Sequence, residues 1–180
     1  MADRKFTGTI GRTLQGTRFS YEVTERLPKD APNVVYILMD DTGFAHLGCY
    51  GSNIRTPNID SLASQGLRYN NFHTTAVCSA TRTSLLTGAN HHAAGCASLI
   101  EYQTGLSNGA GRLNPEYATV AEILHEYGYA TFCSGKWHLA SEKTQAGPYD
   151  SWPLQKGFDR YYGFLHGEND QFHPHLVRDN

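Results

Sequence analysis

The sequence predicts an α/β domain in which helices flank a mainly parallel β-sheet. Two short apolar runs, residues 33–40 and 129–134, have the character of strands buried in such a sheet, and the first is rich in β-branched side chains. Two amphipathic helical patterns, at 56–66 and 118–128, lie between these runs. Strands that alternate with helices are typical of a parallel sheet.

The chain is predicted to divide into an N-terminal arm and one main domain. Residues 1–31 are polar and irregular, and we expect them to form an arm on the main domain, in which the alternation at 18–23 favours an edge strand. The main domain then covers 32–180, which is long enough to bury a core. Its first strand, 33–40, ends abruptly in a run of acidic and small residues, Asp40, Asp41, Thr42 and Gly43.

The first helix is predicted over 56–66. Pro57 suits its first turn because proline needs no backbone N–H partner there, and Gly66 is expected to end it. Its apolar face consists of Ile59, Leu62 and Ala63. The segment that follows, 67–75, is predicted as a strand that leads into the next helix.

A second helix is predicted immediately after this strand. Ser79 or Thr81 could cap its start, and Gly88 would close it because glycine readily adopts the left-handed conformation. Cys78 then lies at the positive end of the helix dipole, where an anion is stabilised. Arg82, four residues later, lies on the same face of the helix. This pattern indicates a polar, electropositive pocket.

The last predicted pair of elements is a helix followed by a strand. The helix at 118–128 is expected to end at Gly128. Its apolar side consists of Val120, Ile123, Leu124 and Tyr127. The strand at 129–134 runs directly into the sequence Gly-Lys-Trp-His-Leu at 135–139.

Composition excludes some classes of partner. The formal net charge is −2 and no basic block occurs, whereas a nucleic-acid surface needs clustered cations. No stretch approaches the roughly 18 apolar residues of a membrane span, and the first residues lack the apolar core of a signal peptide, which favours a cytoplasmic location. The four cysteines lack a metal-binding spacing, and we expect separate thiols, although one or more disulfides remain an alternative.

Polar clusters that are far apart in the sequence are predicted to meet at one edge of the sheet. Asp40 and Asp41 follow one strand, Lys136 and His138 follow another, and Cys78 follows a third. In parallel sheets, ligands bind at the carboxyl ends of the strands. Carboxylate oxygens are the ligands that Ca²⁺ and Mg²⁺ prefer, so the acidic pair indicates a hard-cation site.

Each cluster taken alone also has a structural explanation. The acidic pair is typical of a turn, a single cysteine is often a small buried apolar residue, and the Lys136–His138 segment could be a solvated loop. Cys133 is expected in the core. The histidines at 91, 92, 173 and 175 have no assigned role, because adjacent histidines and histidines in turns are usually exposed.

Taken together, the motifs resemble those of the sulfatase family. Residues 78–88, Cys-Ser-Ala-Thr-Arg-Thr-Ser-Leu-Leu-Thr-Gly, resemble the family signature Cys-x-Pro-x-Arg followed by Leu-Thr-Gly, in which the cysteine is oxidised to formylglycine (3-oxoalanine). The resemblance extends from about Asn33 to the end of the chain through the segments 33–51, 56–66, 135–139 and 157–180. It implies the α/β fold shared by sulfatases and alkaline phosphatases.

The resemblance also implies a role for each polar cluster. Asp40 and Asp41 would bind a divalent cation, usually Ca²⁺ and less often Mg²⁺. Cys78, as the hydrated aldehyde, would be both the nucleophile and a metal ligand. Arg82 would hold that group and offset its charge.

The remaining implied roles concern Lys136 and His138. Lys136 would bind the sulfate ester, and His138 would hydrogen-bond the hydrated aldehyde and help to expel sulfate. A dication, two cationic side chains and a helix N-terminus would stabilise the charge that develops as the S–O bond breaks. The implied activity is hydrolysis of aryl or other small sulfate monoesters, and the implied protein partner is the maturation enzyme that generates formylglycine.

The sequence departs from the family pattern in two respects. Ala80 occupies the position at which the family usually has proline, and we expect Cys78 to be converted nevertheless, because maturation enzymes of some bacteria are expected to accept alanine. The family's second pair of metal ligands, a further histidine and a further lysine are expected beyond Asn180. The chain is therefore expected to be the amino-terminal portion of a sulfatase. The alternatives are a phosphonate monoester or phosphodiester hydrolase of the same superfamily, and an inactive truncated fragment.

Overall fold

The structure is a computed structural model that describes residues 8–18, 27–140 and 149–179. Its α-helices are α1 (Pro57–Gln65), α2 (Cys78–Thr87) and α3 (Val120–Glu126), and its strands are β1 (Phe132–Lys136), β2 (Arg160–Phe164) and β3 (Val177–Arg178). Single 3₁₀ turns occur at Leu14–Gly16, Phe44–His46, Gly48–Tyr50 and Pro153–Lys156. The edge strand predicted at 18–23 lies, apart from Arg18, outside the described residues.

The sheet confirms the α/β class. β1 and β2 are parallel, with Phe132 opposite Arg160 at one end and Lys136 opposite Phe164 at the other. β3 joins the far side of β2 in the antiparallel direction, so the sheet order is β1-β2-β3. Parallel pairing of β1 with β2 brings the carboxyl ends of both strands to the same edge, and Lys136 lies at that edge.

A core of large side chains lies beside this sheet edge. Its buried members are Leu113, Trp137, Leu139, Ala140, Trp152, Tyr161 and Leu165. The indole N–H of Trp137 donates to the carbonyl of Ser151 at 2.9 Å, and the Tyr161 hydroxyl lies 2.8 Å from the carbonyl of Phe164. These bonds satisfy the polar atoms of the two rings, so both rings can be almost fully buried.

Helix α2 forms where it is predicted, but the predicted cap is wrong. The helix ends at Gly88, which is left-handed with φ 66°, and its N–H donates to Ser84. Val77 precedes the first turn and no side chain caps it. The hydroxyls of Ser79 and Thr81 accept hydrogen bonds from neighbouring loops, and both residues lie inside the helix.

Helix α1 also forms as predicted, from Pro57 to Gln65 with Gly66 after it. None of its residues is buried, and Leu62 remains 65% exposed. The predicted apolar face therefore exists, but no described residue covers it fully.

Helix α3 begins with a capping box in which the Thr119 hydroxyl accepts from the Glu122 N–H and the Glu122 carboxylate accepts from the Thr119 N–H. Its buried residue is Ala121. On the predicted apolar side, Ile123 and Tyr127 are 48% and 66% exposed. The helix turns its small residue towards the protein because Gly157 packs directly against the backbone of Ala121 and Glu122.

Two predicted strands, 33–40 and 67–75, do not form. Neither segment makes ladder hydrogen bonds, 67–75 contains bends at residues 70 and 71, and Val35 and Ile37 are 77% and 75% exposed. A strand requires a neighbour to which its backbone can bond, and within the described ranges neither segment has one.

The segment 33–39 lines a groove opposite β1. The groove has a volume of about 920 Å³, and its walls include Val34, Tyr36, Leu124 and Cys133. β1 is an edge strand: its side away from β2 pairs with no described strand. The first predicted strand is thus near the sheet without belonging to it.

Two smaller predictions concern the cysteines and the membrane. All four cysteines are free thiols, which confirms the expectation of separate thiols. Cys133 packs against the core as expected. Across the described ranges, no helix has both the length and the apolar character that a membrane crossing requires.

Candidate active site

The site is built around the first residue of α2. Cys78 occupies the N-terminal position of this ten-residue helix, after extended Val77. The unpaired N–H groups of the first turn and the helix dipole make this position electropositive. The structure therefore places Cys78 where the sequence predicts a site for an anion.

His138 joins Cys78 from the chain that follows β1. The sulfur of Cys78 lies 3.0 Å from Nδ1 of His138, and Nε2 of the same ring lies 2.7 Å from a carboxylate oxygen of Glu101. The ring is almost fully buried, at 2% exposure. Three side chains from three separate segments thus form one continuous hydrogen-bonded row.

The backbone of His138 is held in an unusual conformation. Its φ is 55°, in the left-handed region that costs energy for residues other than glycine. Its N–H donates to the carbonyl of Leu165 at 3.0 Å. Gly167 lies against the ring, where any added Cβ would stand 2.8 Å from Cε1 and Nε2. The tertiary structure therefore fixes where this ring points.

The protonation of His138 reflects this burial. Desolvation lowers the pKa of His138 below its ordinary value, and the positive charges of Lys136 and Arg82 lower it further. The carboxylate of Glu101 opposes both effects without cancelling them. At neutral pH the ring is neutral, so one nitrogen carries a proton and the other can accept one.

A second cluster joins Asp40 to two cations. Lys136 Nζ lies 2.7 Å from one oxygen of Asp40, and Arg82 Nη2 lies 3.4 Å from the other. Arg82 also donates through Nη1 to the carbonyl of Lys136 at 2.6 Å. Although partial burial raises the pKa of Asp40, the hydrogen bond and charge of Lys136, together with Arg82, lower it below its ordinary value.

Asp41 does not join the cluster. It is exposed, its φ is 50°, and within the described residues it makes no hydrogen bond or ion pair. The described part of the chain contains no group of three or more His, Cys, Asp or Glu side chains that could hold a metal ion. Asp40 and Asp41 have the oxygen donors that suit Ca²⁺, but Ca²⁺ takes six to eight oxygens, so these residues alone do not form its site.

One residue of the site was missed by the sequence reasoning. Glu101 is an isolated acid in an irregular segment, so no spacing or motif indicates it. It reaches the site because the adjacent N–H of Ile100 donates to the hydroxyl of Ser79, next to Cys78, at 3.2 Å. Only the tertiary contact could reveal this residue.

The histidines without an assigned role make contacts of their own. His91 contacts the carbonyl of Cys96 and stacks on His92, and His173 lies in an exposed turn beside Asp170.

Comparisons with known proteins place these observations in a family context. A family model described as Sulfatase matches residues 32–180. Arylsulfatase D of Homo sapiens is 40% identical over 135 residues, which are 73% of this chain and 23% of that protein. An uncharacterized sulfatase of Schizosaccharomyces pombe is 38% identical over 148 residues, covering 78% of this chain and 26% of that protein.

A solved structure is also similar. The crystal structure of Ps i-CgsB in complex with k-i-k-neocarrahexaose superimposes with a TM-score of 0.56 and 33% identity, covering 73% of this chain and 27% of that one. The chain thus spans about a quarter of the length of the relatives that it matches.

Proposed function

Because the chain belongs to the sulfatase family, we propose that the whole protein hydrolyses sulfate monoesters of aryl or other small alcohols. The main structural support is the arrangement of side chains around Cys78. Cys78, at the N-terminus of α2, is in hydrogen-bond contact with buried His138. Arg82 of the same helix and Lys136, two residues before His138, both pair with Asp40. An anionic ester is the substrate class that such a site would bind.

We propose that residue 78 is the nucleophile after a maturation enzyme has oxidised Cys78 to formylglycine, whose hydrated aldehyde supplies a hydroxyl group at this position. Nδ1 of His138 contacts residue 78 directly and, on the neutral ring, can accept a proton there. The dipole of α2 favours negative charge at the same position. Arg82, on the same helix face, adds a fixed positive charge that needs no reorganisation during the reaction.

Lys136 is proposed to bind the sulfate group. Its ammonium now contacts Asp40, and its side chain is only 9% exposed, so it is held in place beside the site. A desolvated cation attracts an anion more strongly than one in water. Asp40 neutralises part of the charge of Lys136 and Arg82.

A divalent cation, Ca²⁺ more readily than Mg²⁺, is proposed as the cofactor of the whole protein. When bound, it would stabilise negative charge on the ester and on residue 78. Asp40 and Asp41 would supply carboxylate oxygens to it. The exposed, unpaired carboxylate of Asp41 supports this, since it is available without breaking any contact of the described structure.

The function is tested with variants of the whole protein produced in its native host. Cys78→Ala should abolish turnover of nitrophenyl sulfate, with Cys49→Ala as the matched control that keeps it. The mass of the peptide that spans residue 78 should match formylglycine in the wild type. Near-normal turnover by Cys78→Ala, or a peptide mass of unmodified cysteine in an active preparation, would contradict the proposal.

The same assay separates two alternatives. A phosphonate monoester or phosphodiester hydrolase would turn over a phenyl phosphonate ester faster than nitrophenyl sulfate. The absence of a three-ligand group in the described ranges favours a second candidate, namely that this chain by itself does not turn over substrate. Turnover by the purified 180-residue chain in the presence of Ca²⁺ would contradict that candidate.

A further inference from the structure

We propose that Glu101 is the positioning residue that selects the tautomer of His138 and thereby directs Nδ1 of the ring, as a proton acceptor, at residue 78. The inference rests on the proposed function for its catalytic consequence, but its structural part is independent of that function. The carboxylate lies 2.7 Å from Nε2, on the side of the ring opposite Cys78.

The hydrogen-bonding capacity of the two side chains determines which ring nitrogen carries the proton. An ionised carboxylate can only accept a hydrogen bond, and a neutral imidazole carries one proton on one of its two nitrogens. Contact with Glu101 therefore requires the proton on Nε2 of His138. Nδ1 is then left with its lone pair, and Cys78 lies 3.0 Å from it. The reverse tautomer would set two acceptors against each other at 2.7 Å.

The position of Glu101 is fixed by the loop that carries it. Ile100, immediately before it, is buried at 1% exposure, and its N–H donates to Ser79 of α2. The carbonyl of Glu101 accepts from the N–H of Gln103, and Tyr102 bonds back to Leu99 at 3.0 Å. This hydrogen bond ties the loop that carries the carboxylate to the second residue of α2, next to the nucleophile position.

Other contacts fix the ring but do not choose its tautomer. The left-handed backbone of His138, its N–H bond to Leu165 and the close packing of Gly167 set where the ring lies. None of these contacts involves a ring N–H. Among the described residues, only Glu101 bonds to Nε2, so the choice between tautomers depends on this carboxylate.

The first test measures the tautomer directly in the whole protein. The ¹⁵N shifts of the His138 ring are recorded at about pH 8, above the ordinary histidine pKa of about 6.5, so the ring is neutral. The wild type is expected to show the Nε2–H tautomer. Glu101→Gln should retain it because the amide oxygen also accepts, whereas Glu101→Leu should yield a mixture or the Nδ1–H form. Glu116→Leu, at an exposed position, is the matched control and should change nothing.

The outcomes of this test are decisive. A pure Nε2–H tautomer in Glu101→Leu would overturn the proposal, because a merely structural ion pair would leave the tautomer unchanged. If Glu101→Leu does not fold, Glu101→Asp serves instead. Its carboxylate is withdrawn by one methylene, so a mixture of tautomers is expected, and an unmixed Nε2–H form would again contradict the proposal.

The second test measures the consequence for sulfate ester hydrolysis. Glu101→Leu should lower kcat by about 10²- to 10⁴-fold, the usual contribution of a positioned acid–base group, with KM little changed. Glu101→Gln should lose less than about tenfold, because it keeps the tautomer. A wild type that is inactive on sulfate esters would contradict the proposed function and leave the tautomer result standing. An active Glu101→Leu with wild-type kcat would contradict the positioning role alone.

Discussion

Two segments that overlap predicted strands, 33–39 and β1, have different structures. The short runs 33–40 and 129–134 are both predicted as strands of one sheet, and β1 overlaps the second run from Phe132 onwards. β1 pairs with β2 along five residues and continues into a buried Trp137. The segment 33–39 has no ladder partner among the described residues, and most of its apolar side chains are exposed.

The difference shows that an apolar pattern specifies the tendency to be buried but not the partner that buries it. Among the described residues, two hydrogen bonds near its ends hold the segment 33–39 beside β1. The Tyr129 hydroxyl donates to the carbonyl of Pro32 at 3.2 Å, and Lys136 bonds to Asp40 at 2.7 Å. The groove lies between these two contacts. The two hydrogen bonds therefore bring 33–39 close to β1 without strand pairing.

The largest difference in stability is expected when one aromatic side chain is removed from the core that follows β1 and one from the segment 33–39. Trp137→Ala should lower the free energy of unfolding by about 3–5 kcal/mol, because it leaves a cavity in the core. Tyr36→Ala, at a side chain that is 61% exposed, should change it by less than about 0.5 kcal/mol. Urea unfolding of both variants gives the comparison. Equal losses would show that 33–39 is as well packed as the core that follows β1.

Adding a side chain tests strand pairing instead of the core. Gly163 in β2 packs directly on the backbone of Gly135 in β1, so Gly163→Val should cost about 3 kcal/mol by forcing the strands apart. Gly43→Ala is the control near the other segment, since a Cβ there meets nothing within 4 Å. Its stability should stay within about 0.5 kcal/mol of the wild type. A tolerated Gly163→Val would mean that β1 and β2 are not closely paired.

The same contrast explains how much of the fold was predictable. Helices α1 and α2 depend on nearby residues, such as Pro57 at a first turn and Gly88 at an end, and both were predicted. Strand β1 was predicted to begin three residues and to end two residues too early, at 129–134 instead of 132–136, because its register is set by β2. The strand predicted at 67–75 was wrong because no sequence pattern indicates whether a partner strand is present.

In the site, too, the residues that are close together in the sequence were predictable, and the long-range contact of Glu101 was not. Cys78 and Arg82 share one helix, and Lys136 and His138 follow one strand, so local spacing indicates both pairs. The contact between Cys78 and His138 follows from packing, and the resemblance to a family suggested it. Glu101 could not be predicted, since its contact with His138 joins residues 37 positions apart through an irregular loop. The role of each residue stays a prediction.

Alkaline pH should weaken β1 through Cys133. Burial raises the pKa of this thiol from 9.0 to about 11, so the folded protein keeps the proton that the unfolded chain releases. Stability should therefore fall as the pH rises from about 9 to about 11, by about 2 kcal/mol after allowance for partial exposure. Urea unfolding at several pH values measures the slope. Cys133→Ala should reduce this slope and Cys49→Ala should not; an unchanged slope in Cys133→Ala would contradict the assignment.

The smallest effect should come from cutting the tether at the start of the segment 33–39. Tyr129→Phe removes only the hydroxyl that donates to Pro32, and a single exposed hydrogen bond contributes about 0.5–1 kcal/mol. Global stability should thus change little, because β1 keeps its pairing with β2. Proteolytic cleavage within 33–39 should become several-fold faster, while cleavage within β1 should stay the same. Tyr127→Phe, on a neighbouring exposed ring without this bond, is the matched control. Equal acceleration in both segments would mean that they open as one unit, and the contrast between them would then be one of exposure alone.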